Sequence, residues 1–301
     1  AASDVYKRQD YNMAIGYDAM GDLNHASATR NIAIGAYAGY EMGAFASTDN
    51  VFMGYFAGGG DWATAASNYN VGIGNYVMDA AMNAADNNTA VGYGSLGALT
   101  TGDQNVCIGA NAGLLIDSES GCTLIGYQAG NGNLNAAHYC VAIGHNAFQG
   151  AATQEGTVAV GASALSALGG GSGNTAIGYL SAKLLTGGSN NTVLGYQALD
   201  AADGSETGNV VIGTNAMGAV DEGGGAADTN VCIGLDCGFG GATTLFSENV
   251  AIGAYAFDGS STQLVDKVVA IGYNALTGAV EDEVTGTVAI GHSALAALTT
   301  G

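Results

Sequence analysis

Apolar positions along the chain fall into one short, recurring pattern. An aliphatic residue, a small residue and a second aliphatic residue precede a Gly, and the group returns every 17 to 21 residues. The unit reads N-V-A-I-G-x-x-A-L. It is centred on Gly16, Gly35, Gly54, Gly74, Gly92, Gly109, Gly126, Gly144, Gly161, Gly178, Gly195, Gly213, Gly234, Gly253, Gly272 and Gly291, sixteen copies in all. Near-constant spacing with tolerated slips predicts one solenoid coil per repeat, with the length variation carried by a loop. The fold class expected is all-β: a parallel β-solenoid, or β-roll, with one short strand per repeat.

With the Gly as position 0, position −1 is aliphatic in every copy, mostly Ile, and −3 is mostly Val. Side chains alternate along a strand, so −3 and −1 share a face. Their bulk predicts that this face is the inside of the coil. Position −2 is never polar: nine copies have Ala, two have Cys (Cys107, Cys232), and Phe52, Gly72, Leu124, Val193 and Val211 complete the row. A small apolar face implies close approach by another surface. A coil of 17 to 21 residues has little chain left to cover its own sheet, so the expected cover is a second subunit. Ala33, Ala90, Ala142, Ala159, Ala251, Ala270 and Ala289 are the residues expected at that interface. Position 0 is expected at a tight corner with positive φ.

After the corner, +3 is usually Ala, +4 is often Leu, Met or Phe, and +7 is bulky in half the copies. That spacing predicts a short helical turn of about two turns. Position −4 is Asn in eleven copies: Asn12, Asn31, Asn50, Asn70, Asn88, Asn105, Asn174, Asn191, Asn209, Asn230 and Asn249. Stacked Asn side chains are expected to form a hydrogen-bonded ladder that holds the turn before each strand, rather than a ligand row.

Composition narrows the class. Gly is 51 of 301 residues and Pro is absent. A chain without Pro keeps every backbone donor, and 48% hydrophobic content is foreign to a disordered one. The formal charge is −21, with five basic residues. Phosphate binding needs clustered Lys and Arg, so no nucleic-acid partner is expected, and no membrane insertion, because no apolar run is long enough. Residues Asp4–Gln9 (DVYKRQ) look like adapter-derived sequence. Residues 1–9 are therefore read as a non-native lead-in, and 10–301 as a single solenoid of about sixteen repeats, truncated at both ends.

Asn31-Ile-Ala-Ile-Gly35, Asn249-Val-Ala-Ile-Gly253 and Thr287-Val-Ala-Ile-Gly291 resemble the repeats in head domains of trimeric autotransporter adhesins. Asn88-Thr-Ala-Val-Gly92 and Asn191-Thr-Val-Leu-Gly195-Tyr-Gln-Ala-Leu199 resemble the NTAVGYQAL-type repeats of phage tail-fibre proteins. The resemblance runs from about Tyr11 onward. It implies a parallel β-roll, a homotrimer, and a place outside the cell, on a cell surface or virion, where the fibre meets a host-surface receptor or glycan. The repeats here are a few residues longer than those of the adhesin heads.

Chemistry is sparse. Catalytic residues are not expected: the strand core, −3 to 0, carries no carboxylate in any repeat, and His25, His138, His145 and His292 do not converge. The five cysteines, Cys107, Cys122, Cys140, Cys232 and Cys237, include no CxxC pair, so no metal or redox site is expected. Cys122 and Cys140 hold position −4 in adjacent repeats, where rung spacing would strain a disulfide. Acidic loops occur at Asp117/Glu119, Asp221/Glu222 and Glu281–Glu283. Calcium is the one cofactor their charge could attract, but the GGxGxD nonapeptide of calcium β-rolls is missing, and solvated loop charge is the plainer reading. Tyr17, Tyr55, Tyr93, Tyr127, Tyr179, Tyr196 and Tyr273 share position +1; they could stack on sugars or simply pack beside the corner. The leading function is a structural and adhesive fibre segment without catalysis. The alternatives are an ice-binding solenoid, set back because Thr at −3 (Thr89, Thr123, Thr175, Thr192) falls on the face taken as inside, and a carbohydrate-binding one.

Overall fold

The structure is a computed structural model describing residues 11–298 apart from 26, 44, 63–64, 133, 135–136, 151–154, 221–226, 239–245, 260–264 and 279–283. The lead-in at 1–9 lies outside the described residues. Two compact units divide the chain, Ala1–Asn146 and Ala147–Gly301. In the first, β1 (Met13–Ile15), β2 (Ile32–Ile34), β3 (Val51–Met53), β4 (Val71–Ile73), β5 (Thr89–Val91), β6 (Val106–Ile108), β7 (Thr123–Ile125) and β8 (Val141–Ile143) pair in sequence order, parallel and in register. In the second, β9 (Val158–Val160), β10 (Thr175–Ile177), β11 (Thr192–Leu194), β12 (Val210–Ile212) and β13 (Val231–Ile233) pair likewise and continue through β15 (Val250–Ile252), β17 (Val269–Ile271) and β19 (Val288–Ile290). Three two-residue strands, β14 (Phe246–Ser247), β16 (Val265–Asp266) and β18 (Val284–Thr285), form a second small parallel sheet there. The chain is a β-solenoid with one three-residue strand per repeat.

The faces of the strand are the reverse of the expectation. In all sixteen copies −2 is the buried residue, and −3 and −1 are half-buried or exposed. Ala33, Ala90, Ala142, Ala159, Ala251, Ala270 and Ala289 lie inside the coil, essentially without solvent contact, so none is open to a second copy. The chain covers this face itself. The +3 residue is buried in every repeat except the last, where it is Ala294, and +4 fills the space between. A Cβ on Gly58 (+4) would stand 2.7 Å from the Phe52 ring (−2), and one on Gly130 would stand 2.6 Å from Leu124. Gly113 and Gly238 face Cys107 and Cys232 in the same way. Where −2 is Ala, +4 is generally large instead, as in Ala14 with Met20, Ala90 with Leu96 and Ala159 with Leu165. The interior has a fixed small volume, which −2 and +4 divide between them.

No helix occurs among the described residues, and the short helical turn after the corner is not present. Positive φ appears at +2 and at +4 in all sixteen repeats, from Asp18 (48°) and Met20 (51°) to Ser293 (53°) and Leu295 (51°). These alternate with residues of negative φ, so backbone groups point along the stack instead of along a helix axis. Gly35 N–H donates to Ile15 O at 2.8 Å, Tyr37 N–H to Tyr17 O at 2.8 Å, and Met20 N–H to Ala38 O at 2.9 Å. A left-handed residue costs about 1–2 kcal/mol when it is not Gly. An unpaired buried N–H costs about as much or more, and most of these residues donate to the neighbouring coil. The +3, +4, +7 spacing thus reports a narrow corner packed from inside, not a helix face.

At −4 the Asn side chains are buried and joined. Asn31 N–H and Nδ2 donate to Asn12 Oδ1 at 2.8 and 3.1 Å, and Nδ2 also donates to Ser47 O at 2.8 Å. The pattern repeats through Asn50, Asn70, Asn88 and Asn105 and again from Asn174 to Asn249. Cys122 takes the same place at the end of the first run. Its N–H donates to Asn105 Oδ1 at 2.9 Å and its thiol to Ala137 O at 3.4 Å.

Candidate functional site

With −2 and +3 inside, the outward-facing groups are the −3/−1 side chains of the sheet and the +1, +2 and +5 side chains of the corner. The sheet face carries an uncovered aliphatic strip. In the first unit Met13, Ile15, Met53, Ile73, Ile108 and Ile143 are exposed; in the second, Ile177, Leu194, Val288 and Ile290 are. Exposure is 39% at Ile73 and 66% at Ile290. Thr89, Thr123, Thr175 and Thr192 also lie on this outer face, contrary to their expected place inside. Only Thr175 and Thr192 are on neighbouring strands, so no continuous Thr row exists.

The expected tyrosine row at +1 is exposed, and it is half of a larger feature. Tyr37 and Tyr76, at +2, interleave with it. Tyr17–Tyr37, Tyr37–Tyr55, Tyr55–Tyr76 and Tyr76–Tyr93 meet edge to face at centroid distances of 5.3, 6.0, 5.3 and 5.8 Å. Tyr255, also at +2, meets Tyr273 edge to face at 5.8 Å, and three partners are stacked: Tyr127 on His145, Tyr179 on Tyr196, Tyr273 on His292. The two imidazoles thus extend the aromatic row. The +2 tyrosines were legible only once +1 and +2 were known to lie on one surface. Burial raises the phenol pKa of Tyr37 and Tyr76, with the neighbouring tyrosines adding to it.

All five cysteines occupy interior or ladder positions, and all are buried free thiols. A hydrogen bond with Cys140 and then burial push the Cys122 thiol far above its usual range; a hydrogen bond with Cys237 and then burial raise Cys232 in the same way, and burial alone raises Cys107. Such thiols are inert nucleophiles. Asp22, Glu41 and Asp61 help line a hollow of about 400 Å³. Among the described residues, no three His, Cys, Asp or Glu converge to hold a metal. Asp221, Glu222 and Glu281–Glu283 lie outside the described residues.

Glu119 is not solvated loop charge. It is buried, and its Oε2 accepts from Asp117 N–H at 3.1 Å and Ser118 N–H at 3.3 Å, which holds the loop. Glu206 stands at the equivalent position, seven residues before the next Gly. Its Oε1 accepts from Gly204 N–H at 3.3 Å, and its Oε2 has no partner. Burial raises the Glu206 carboxyl above the usual range. A raised acid binds its proton better in the folded state, so its contribution is full below the unfolded pKa and is lost as pH rises through the folded one. Glu206→Gln is therefore expected to stabilise the protein by about 1 kcal/mol at pH 7 and by almost nothing near pH 4, measured by urea unfolding at both values.

Asp79, at +5, is also raised by burial. It lines a notch of about 380 Å³ with Tyr76, Tyr93, Gly94, Asn111 and Leu114. No helix among the described residues is long and apolar enough to cross a membrane. Comparison with family models, with curated proteins and with solved structures gives no match.

Proposed function

We propose that this chain is a segment of an extracellular structural and adhesive fibre, on a cell surface or virion, that assembles with copies of itself and catalyses no reaction. The aliphatic strip of the outer sheet face carries the reading. Its side chains recur at strand spacing on successive coils, and an open strip of such residues exceeds what a solitary soluble protein normally presents. A partner that meshes with it must carry the same rung spacing, and a second copy of the chain does. The charge of −21 does not oppose this contact locally, because −3 to 0 contains no charged residue in any repeat. Closed cyclic symmetry lets such faces meet without open-ended polymerisation, and a trimer is the form that the repeat resemblance implies. A host receptor or glycan would then be met by the exposed corner residues, which are not part of the strip.

Assembly is tested by light scattering on the purified chain. The expected result is a defined oligomer of three copies. Ile73→Asp with Ile108→Asp should give a folded monomer, because both side chains face outward and leave the coil interior untouched. A wild-type chain that stays monomeric at high concentration would falsify the assembly.

A further inference from the structure

The corner surface is interrupted at one place. In the repeat centred on Gly92, both outward corner positions are Gly: Gly94 at +2 and Gly97 at +5. The other repeats place a side chain at +2, such as Tyr76, Asn111, Gln128 or Asn146, and no other repeat has Gly at both positions. Without these two side chains a notch remains at this coil, with Gly94 buried beneath the Asn111 side chain. Tyr76 and Asp79 of the preceding coil form one wall, Asn111 and Leu114 of the following coil form the other, and Tyr93 stands at its side.

The groups around the notch point into it. A Cβ on Gly94 would stand 2.8 Å from Asn111 Oδ1, and one on Gly97 would stand 3.3 Å from Asp79 Oδ1 and 2.9 Å from Leu114 Cδ1. The Asn111 backbone N–H donates to Tyr93 O at 2.8 Å, and its side-chain amide has no hydrogen-bond partner among the described residues. Tyr76 and Tyr93 meet at 5.8 Å and 73°. Tyr93 is 57% exposed, and the next residue in its row is Ala110, so its other side has no ring against it. Volume, about 380 Å³, falls within the range of small-molecule sites, about 300–1,000 Å³.

We infer that this notch binds a neutral pyranose unit of a glycan, stacked on Tyr93 and hydrogen-bonded through its hydroxyls to the Asp79 carboxylate and the Asn111 amide. An aromatic face takes the C–H face of a sugar ring, while a carboxylate acceptor and an amide that both donates and accepts match vicinal hydroxyls. Leu114 supplies an apolar stop. The carboxylate at the wall and the overall charge of −21 select against sialylated or sulfated sugars. The inference rests on the adhesive half of the proposed function and is independent of self-assembly, since the notch lies on the corner and not on the aliphatic strip.

The test is a printed array of neutral, amino-acetylated and sialylated oligosaccharides, followed by calorimetric titration with the best array glycan, expressed per chain so that oligomeric state does not enter. Wild type is expected to bind neutral glycans and to ignore the sialylated ones. Gly94→Asn fills the notch with the residue that +2 carries in Asn111, Asn146, Asn215 and Asn274, all at positive φ, so the fold is retained; Asn111 can swing aside to admit it. Affinity should fall at least tenfold in Gly94→Asn and in Tyr93→Ala, and stay unchanged in Tyr196→Ala. Absence of binding to every neutral glycan, preference for sialylated ones, or full affinity in folded Gly94→Asn would each overturn the site. None of these results bears on the light-scattering measurement, so the two readings fail separately.

Discussion

Gly178→Val is expected to remove most of the stability of the protein, by more than about 4 kcal/mol. Gly178 has φ +144°, and an added Cβ would stand 2.1 Å from the carbonyl oxygen of Gly195 in the next coil. Neither side can yield. Gly178 N–H is bonded to Val160 O at 2.8 Å, and Gly195 N–H to Ile177 O at 2.9 Å, so relief would break the ladder on both sides. Backbone strain adds to the overlap, because this region of φ is open essentially to Gly alone. The last corner provides an internal control. Gly291, φ +125°, has nothing within 4 Å of its Cβ position, and Gly291→Val should cost only the strain, about 1–3 kcal/mol. Urea unfolding of the two variants checks both values. Equal, small losses would mean that coil spacing does not require Gly.

Phe52 and Gly58 should behave as one unit. Phe52 is fully buried, its ring edge-on to Trp62 at 5.7 Å, and a Cβ on Gly58 or Gly72 would stand 2.7 or 2.8 Å from it. Phe52→Ala is expected to cost about 3–5 kcal/mol through the cavity it leaves. Gly58→Met alone should also destabilise, because the ring already fills that space. Together they recreate the arrangement of Ala14 with Met20, where Met20 holds φ 51°, so the double variant should recover about 2 kcal/mol relative to the sum of the single losses. Thermal unfolding of the three variants measures the coupling. Simple additivity would show that −2 and +4 do not share one volume.

Much of the fold was legible because the information is local and repeated. A strand of three residues and a Gly return together sixteen times, with an Asn before the strand in eleven of them, and parallel stacking places each residue beside its own equivalent. An Asn beside an Asn can donate and accept at once, so the −4 row could be read as a ladder from residue type alone. The Gly row was legible for a similar reason, since Gly beside Gly allows the closest backbone approach. The interior thiols followed from their substitution for Ala. Glu119 was misread because a carboxylate in a loop is ordinarily solvated, and only coordinates show its oxygen turned back onto two N–H groups.

The candidate site was half visible. Tyr93 was identified by its place at +1, but Tyr76, Asp79, Asn111 and Leu114 belong to other coils and other corner positions. They meet only because +2 and +5 face outward side by side. Two glycines three residues apart mean nothing in a chain with 51 of them until that surface is known.

The sequence by itself determined the period, the strand, the parallel register and the residues that hold coil to coil, because each depends on a residue and its own repeat. Which side of the strand is inside was decided only by the tertiary structure. Alternation shows that two faces differ but not which one is enclosed, and here both are apolar. Bulk pointed to Val and Ile as core, as it would in a wide sheet packing. In a coil this narrow, corner residues with positive φ reach the sheet from within and leave room for Ala, or for Phe only where +4 is Gly. The large aliphatic side chains are turned outward for want of space, and that turns the face expected to be core into the one available to a partner.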